Sequence, residues 1–292
     1  MKIVISKLPD SGWWSGGIPK YEDNPAMKKG LIPNHVLAEK ERKVLISAIK
    51  KSGHNILEFD FPLILDQQHP KHDFVFIRDS FISNQMGTAI ILRAGEPSRR
   101  IENQIVTGYL ESLDIKIIEM PDKKGIRADG GEFYFCREEN VLFCGLKRNT
   151  MQGATFVAEK FNVAELVIIE GNGYHLDTFF TPVLDKKGCI IALIACKKML
   201  SKISESSLCQ FAKSRNIPLI DIPQVDSLGT ASSIGNFAAN ALPLPGVLIR
   251  ANRFTDLSVE EKLRELEIKS FITPTSQFQL SGGSVHCITN EL

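Results

Sequence analysis

The sequence predicts an α/β protein in which ββαβ units repeat around a closed ring. Two observations carry this. Apolar strands, tight turns and one helix pattern recur in the same order, and a polar residue stands at the head of each unit. Those head positions are almost evenly spaced: 50 residues separate Asp79 from Asp129, 46 separate Asp129 from His175, 63 separate Asp177 from Asn240, and 47 separate Asn240 from Cys287. A period near 50 marks radial or solenoid architecture, in which each unit buries its apolar face against its neighbours. The half-unit missing from the repeat is a helix plus strands, which residues 1–61 supply, so the ends meet and no sheet edge is left free. The units share no sequence identity, and an ordinary α/β sheet with chance spacing is the competing architecture.

The elements follow in order. Met1–Ser6 reads as a strand and is too short for a secretory signal core. A Gly/Pro-rich stretch over residues 7–33, with Trp13-Trp14-Ser15-Gly16-Gly17, is long for a plain connection and suits a lid or binding loop. A helix over His35–Lys51 and a strand over Asn55–Phe61 come next. The first full unit has strands at Phe81-Ile82 and Thr88–Leu92, a helix over Arg99–Ser112 and a strand at Lys116–Glu119. The second has Glu132–Phe135, Val141–Cys144, Gln152–Lys160 and Leu166–Ile169. The third has Phe179–Leu184, Cys189–Ala195, Ser204–Ser214 and Leu219–Ile222. The fourth has a turn at Pro243-Leu244-Pro245-Gly246 followed by Val247–Ile249, Val259–Leu266 and Lys269–Ile272. One catalytic domain spanning residues 1–292 is expected.

Composition narrows the function. With 35 Lys and Arg against 34 Asp and Glu, the net charge is +1, which argues against nucleic acid or an anionic membrane as partner. No apolar run approaches the roughly 20 residues that span a bilayer. The six cysteines form no CxxC pair and do not cluster with histidines at metal spacing, so a reducing, cytoplasmic compartment without disulfides is expected.

Several residues could carry chemistry. Cys287 follows Gly282-Gly283, which permits close backbone approach, and a thiolate there would need a hydrogen-bonding or cationic neighbourhood. His175 is the candidate acid and base, and Asp129, in Asp129-Gly130-Gly131-Glu132, could orient its ring. Taken one at a time, each is a weak signal: a lone histidine near a glycine turn is more often structural, a Gly-Gly pair after an aspartate more often a turn, and a cysteine near a C-terminus more often inert. His286 points away from Cys287 if that segment is a strand, and so is not taken as the base. Asp73 and Asp79, six residues apart, share one face if Asp73–Asp79 is extended, and two carboxylates on one face suit a guanidinium. Asp177 would add a third carboxylate on the face of His175. Glu96–Arg100 and Leu146–Asn149 offer arginines for an anionic group.

Together these segments resemble the guanidine-modifying enzymes of the pentein superfamily, most of all the dimethylarginine dimethylaminohydrolases. The likeness runs from about Leu8 to Cys287 through Asp73–Asp79, Arg93–Arg100, Asp129–Glu132, Gly145–Asn149, His175-Leu176-Asp177 and the terminal Gly-Gly…Cys. It implies a five-bladed α/β propeller, with Cys287 as nucleophile, His175 as general acid and base, and Asp129 as its acidic partner. It implies Asp79 and Asp73 as substrate-side acids, Arg99 and Arg148 as holders of an amino-acid carboxylate, and the loop around Trp13–Gly17 as a mobile lid. It implies a small-molecule guanidine substrate and neither a metal nor an organic cofactor, and leaves homo-oligomer formation open. One position departs from the pattern: the methylarginine enzymes typically have His-Leu-Lys, whereas His175-Leu176-Asp177 resembles arginine deiminases and amidinotransferases. A dimethylated nitrogen offers no N–H to a second carboxylate, so Asp177 favours free arginine or a close analogue, with dimethylarginine hydrolysis and amidino transfer as the alternatives.

Overall fold

The computed structural model describes residues 1–20, 24, 26–68, 71–230 and 232–292, and it resolves the repeat into five three-stranded sheets. In chain order, β1 (Lys2–Ser6), α1 (His35–Lys51) and β2 (Asn55–Phe59) come first. A second blade follows with β3 (Phe81–Ser83), β4 (Thr88–Ile91), α2 (Glu102–Glu111) and β5 (Lys116–Glu119). The third holds β6 (Phe133–Cys136), β7 (Val141–Gly145), α3 (Met151–Lys160) and β8 (Glu165–Ile169). The fourth holds β9 (Phe180–Leu184), β10 (Ile190–Ala195), α4 (Lys202–Ser214) and β11 (Leu219–Asp221). The fifth holds β12 (Leu242–Leu244), β13 (Val247–Arg250), α5 (Leu257–Glu265) and β14 (Lys269–Ile272). A short β15 (Asn290–Glu291) then returns to pair antiparallel with β1 and completes the first sheet.

Each full blade has one register logic. An antiparallel hairpin places its first strand inward, and a helix carries the chain back to a third strand parallel to the second, as in the β6–β7–α3–β8 unit. The helices start where polar caps precede apolar periodicity. Asn34 accepts from Leu37 N at 3.0 Å, Thr150 from Gly153 N at 3.1 Å, Ser201 from Ser204 N at 3.1 Å and Asp256 from Ser258 N at 2.9 Å. The apolar core lies between neighbouring blades and under the helices. One continuous cluster runs through Phe143, Phe180, Leu193, Leu248 and Phe254. Among the described residues no helix is long and apolar enough to cross a membrane.

Three local expectations are corrected. Asp73–Asp79 is not a strand but two 3-10 turns, His72–Val75 and Ile77–Ser80, so its two acids are brought together by a bend and not by strand alternation. The four-residue turn expected at Pro243–Gly246 shrinks to Pro245-Gly246, since Leu244 pairs with Val247. Pro243 is tolerated because β12 is an edge strand, where no ladder N–H is missed, and Gly246 takes the φ of +71° that the tight turn requires. Trp13 and Trp14, expected in an open binding loop, are packed inward: they are 0% and 6% exposed, and the Trp13 indole Nε1 donates to His72 O at 3.1 Å while its ring packs on Phe278. The same connection brings Asn24 and Met27 to the lining of the cavity described below. The same connection also includes residues 21–23 and 25, which lie outside the described residues.

Leu193, fully buried in central strand β10, tests the inter-blade core. Leu193→Ala is expected to lower unfolding free energy by about 2–5 kcal/mol in urea titration, and a loss under about 1 kcal/mol would contradict this packing.

Candidate active site

The heads of the blades converge at one end of the ring axis. A narrow cavity there, of about 30 Å³, is lined by Asp73, Asp79, Asp129, His175 and Cys287, with Arg99 and Arg148 on its rim. Seven of the eight residues singled out from the sequence therefore face one space. The eighth, Asp177, is fully buried and does not line it.

Glycines make the convergence possible. A Cβ on Gly130 would lie 1.9 Å from the Arg78 carbonyl oxygen, and one on Gly131 would lie 2.5 Å from His175 Nδ1 and 3.1 Å from an Asp79 oxygen. Only a residue without a side chain lets this turn pass so close to the imidazole. On the other side of the cavity a Cβ on Gly283 would enter the Phe76 ring.

The imidazole of His175 sits between two acids. Its Nε2 is 3.2 Å from Asp129 Oδ2 and its Nδ1 is 3.6 Å from Asp79 Oδ1. Burial opposes a charged ring, but Asp79, Asp129 and Glu132 outweigh it and raise the His175 pKa from 6.5 to about 9. Asp129 is held in turn by Gly95 N at 2.6 Å, and although burial works against its charge, the bonded His175 lowers its pKa. Asp79 accepts from Gly131 N at 3.0 Å and from Arg99 Nη1 at 2.5 Å.

Arg99 departs from expectation. Its Nε donates to Glu102 at 2.9 Å, Nη1 to Asp79, and Nη2 to Glu102 and to the carbonyls of Asp73 and Phe76. With its donors so committed, it fixes the acids of the cavity and is not a free clamp for a substrate carboxylate. Arg148 donates to the Tyr174 hydroxyl at 2.6 Å from Nη2, and its guanidinium lies 4.5 Å from the Tyr174 ring centre.

Cys287 lies in a tight turn rather than a strand: Ile288 N donates to Ser284 O at 3.1 Å, and Thr289 N to His286 O at 3.2 Å. The alternation used to set His286 aside therefore does not apply. The thiol accepts from Asn240 Nδ2 at 3.1 Å and donates to Asp177 Oδ2 at 3.4 Å, and that oxygen lies 2.9 Å from His286 Nδ1. Burial, then Asp177 and Asp79, push the thiol well above its ordinary 9.0, and burial pushes Asp177 from 3.8 to about 7, with Asp79 adding to the shift. At neutral pH the sulfur is a thiol, not a thiolate.

Sequence reasoning passed over three residues. Asn240 was seen only as the head of a unit, yet its Oδ1 also accepts from His286 N at 3.0 Å and anchors the turn that carries Cys287. Glu132 accepts from Arg148 N at 2.6 Å and Leu176 N at 2.7 Å, tying two cavity segments together. Glu102 holds Arg99. The signal for Asn240 was its place in the 47-residue spacing to Cys287, and the two glutamates left none.

Five α/β blades with these polar heads at one end of the axis define the pentein fold. The family model described as N,N dimethylarginine dimethylhydrolase, eukaryotic, matches residues 33–292, and the chain belongs to that family. Among solved structures, the N-terminal domain of ArgZ, an arginine dihydrolase from the ornithine–ammonia cycle in Cyanobacteria, solved bound to substrate, is similar at a TM-score of 0.80 and 21% identity over 99% of this chain and 98% of that one. AgrE, solved as a mutant with L-arginine, is similar at 0.79 and 19% identity over 99% of this chain and 40% of its own. DDAH from Pseudomonas aeruginosa, solved as a mutant with citrulline, is similar at 0.73 and 18% identity over 100% of this chain and 98% of that one. These likenesses show the shared fold.

The geometry makes His175 a cation at neutral pH. Followed by NMR, its ring is expected to lose its proton near pH 9, and Asp129→Asn should lower that midpoint. Because the folded value exceeds the unfolded 6.5, the stability that His175 contributes is fully present below pH 6.5 and is lost as pH rises through about 9. A folded midpoint at or below 6.5 would refute the two-carboxylate cradle.

Proposed function

We propose that the protein hydrolyses the guanidinium group of free arginine or a close analogue through a covalent intermediate on Cys287. The observation that carries this reading is the joint lining of one cavity by a thiol, a charged imidazole and the acids Asp73, Asp79 and Asp129. A guanidinium is flat, cationic and rich in N–H donors, which suits carboxylates on two sides. Asp73 and Asp79 would hold it in plane beside the sulfur. Its positive charge favours the thiolate, whose formation the surrounding acids otherwise oppose. Sulfur then attacks the central carbon, and His175, already protonated, gives its proton to the departing amine. Water, losing its proton to His175, releases the ureido product from the thiouronium. Arg148, at the rim, would receive the amino-acid carboxylate, and Arg99 would keep Asp79 in register.

Asp177 bears on the choice of substrate. Its Oδ2 is taken by Cys287 and His286, while Oδ1 is buried without a protein partner. Asp177 does not line the cavity, so a guanidinium would meet that oxygen only on displacing the groups between them; there it could donate an N–H, and a dimethylated nitrogen could not. This supports arginine over dimethylarginine. Dimethylarginine is the second reading, favoured by the family to which the chain belongs. Six cysteines without a disulfide support a cytoplasmic setting.

The test is incubation with arginine, monomethylarginine, dimethylarginine, agmatine and guanidinoacetate, followed by assay of citrulline, ornithine, ammonia and methylamines. Arginine is expected to be consumed fastest, with ammonia released; methylamine release from dimethylarginine as the dominant activity would install the second reading. Labelling with 2-chloroacetamidine should add one adduct at Cys287, absent from Cys287→Ala, and no selective adduct would end the hydrolase reading. Asp177→Lys should lower kcat/KM for arginine by about tenfold or more relative to methylarginines, and equal losses would remove Asp177 from substrate selection.

A further inference from the structure

A second cavity opens at the opposite end of the ring axis. It has a volume of about 490 Å³ and is lined by hairpin-turn residues of several blades, among them Gln85, Glu138, Gly188 and Pro245. It reaches inward to Arg78, Tyr134 and His286, none of which lines the front cavity. Asp177 and His286 link the two ends. From the front, Cys287 Sγ lies 3.4 Å from Asp177 Oδ2, and the same oxygen lies 2.9 Å from His286 Nδ1. The other ring nitrogen of His286, Nε2, is buried without a hydrogen-bond partner, although a buried imidazole ordinarily satisfies both.

When Cys287 and Asp177 are both protonated, the hydrolase reading leaves one proton without a destination. Attack requires the thiol to lose its proton, while a bound substrate plugs the front cavity. His175 cannot accept that proton, because it already carries the one that it will deliver to the departing amine. We propose that His286 exchanges the proton of the buried Cys287–Asp177 pair with water in the rear cavity. This rests on the hydrolase reading above.

The step balances as follows. The Asp177 Oδ2–H bond breaks and its proton joins Nδ1 of His286; the Nε2–H bond breaks and that proton passes to water. The pair is left with one proton and one negative charge. When that last proton lies on Asp177 Oδ2, the sulfur holds the charge and is the nucleophile. Running in reverse, the same hops reprotonate the pair after turnover.

The surroundings suit a conduit rather than a store. The Tyr134 ring stacks on His286 at 4.3 Å. Arg78 donates from Nε to the His286 carbonyl at 3.2 Å and pairs with Glu291 at 2.5 Å. Burial first, then the charges of Arg78 and His175, hold the His286 pKa well below 6.5, so the ring passes a proton without keeping it. The groups facing the Cys287–Asp177 pair are Asp79, His175, Arg78 and Asn240.

His286 acts through Asp177, so it is a positioning and relay residue, and its test must separate relay from packing. His286→Asn keeps an N–H toward Asp177 but cannot relay, and His286→Ala leaves room for imidazole from solvent. With arginine, His286→Asn is expected to lose about tenfold or more in kcat with KM within about twofold, and its pH profile should shift. Imidazole should restore turnover of His286→Ala in proportion to its free-base concentration, which decides the matter even if the Asn variant is poorly folded. Wild-type turnover in folded variants, or a loss that imidazole does not repair, would overturn the relay. Adduct formation at Cys287 of the unaltered protein is read separately: its absence removes the hydrolase reading, whereas its presence beside unaffected variants removes the relay alone.

Discussion

A thiol resting on a carboxylate, both out of water, sets the terms for the whole site. Cys287 and Asp177 meet at 3.4 Å with 6% and 0% exposure, so two negative charges cannot coexist there. The resting pair must keep a proton. The groups around it hold that arrangement. Asn240 steadies the sulfur from the fifth blade, His286 steadies the carboxylate from beside Cys287, and Asp79 adds a negative field. The sulfur of the resting pair is therefore held uncharged.

A second tier keeps these groups in place by committing cations to anions. Arg99 grips Asp79 and Glu102 together, and Arg78 grips Glu291 and the backbone of the nucleophile's turn. Each buried charge in this tier has a counter-charge at bonding distance, which is the condition under which buried ions are tolerated. Two separate sets of ion pairs thus brace the cavity: Arg99 with Asp79 and Glu102, and Arg78 with Glu291.

Much of this could be read from the residues alone, for a definite reason. A ring of blades repeats its head position at a fixed interval, so Asp79, Asp129, His175 and Cys287 announced a common axis before any contact was known. Asn240 belonged to the same series and was passed over because an amide has no obvious chemistry of its own. What could not be read were facts that depend on backbone paths. The 3-10 turns of residues 72–80 replaced an expected strand, and the tight turn at Cys287 defeated an argument from alternation. The work of Arg99 was misassigned because its partner Glu102, three residues on, looked like an ordinary helix start. Glu132 bonds to backbone N–H groups far along the chain, for which no side-chain pattern exists.

The closing strand β15 begins three residues beyond the nucleophile and docks on β1. The turn that aims the sulfur is therefore strung between that docking point and Asn240. Pairing of β15 with β1 thus adds a second tether to the one that Asn240 supplies through the Cys287 thiol and His286 N. A change at the chain's last residues is therefore transmitted through only a few bonds to the position of the Cys287 sulfur.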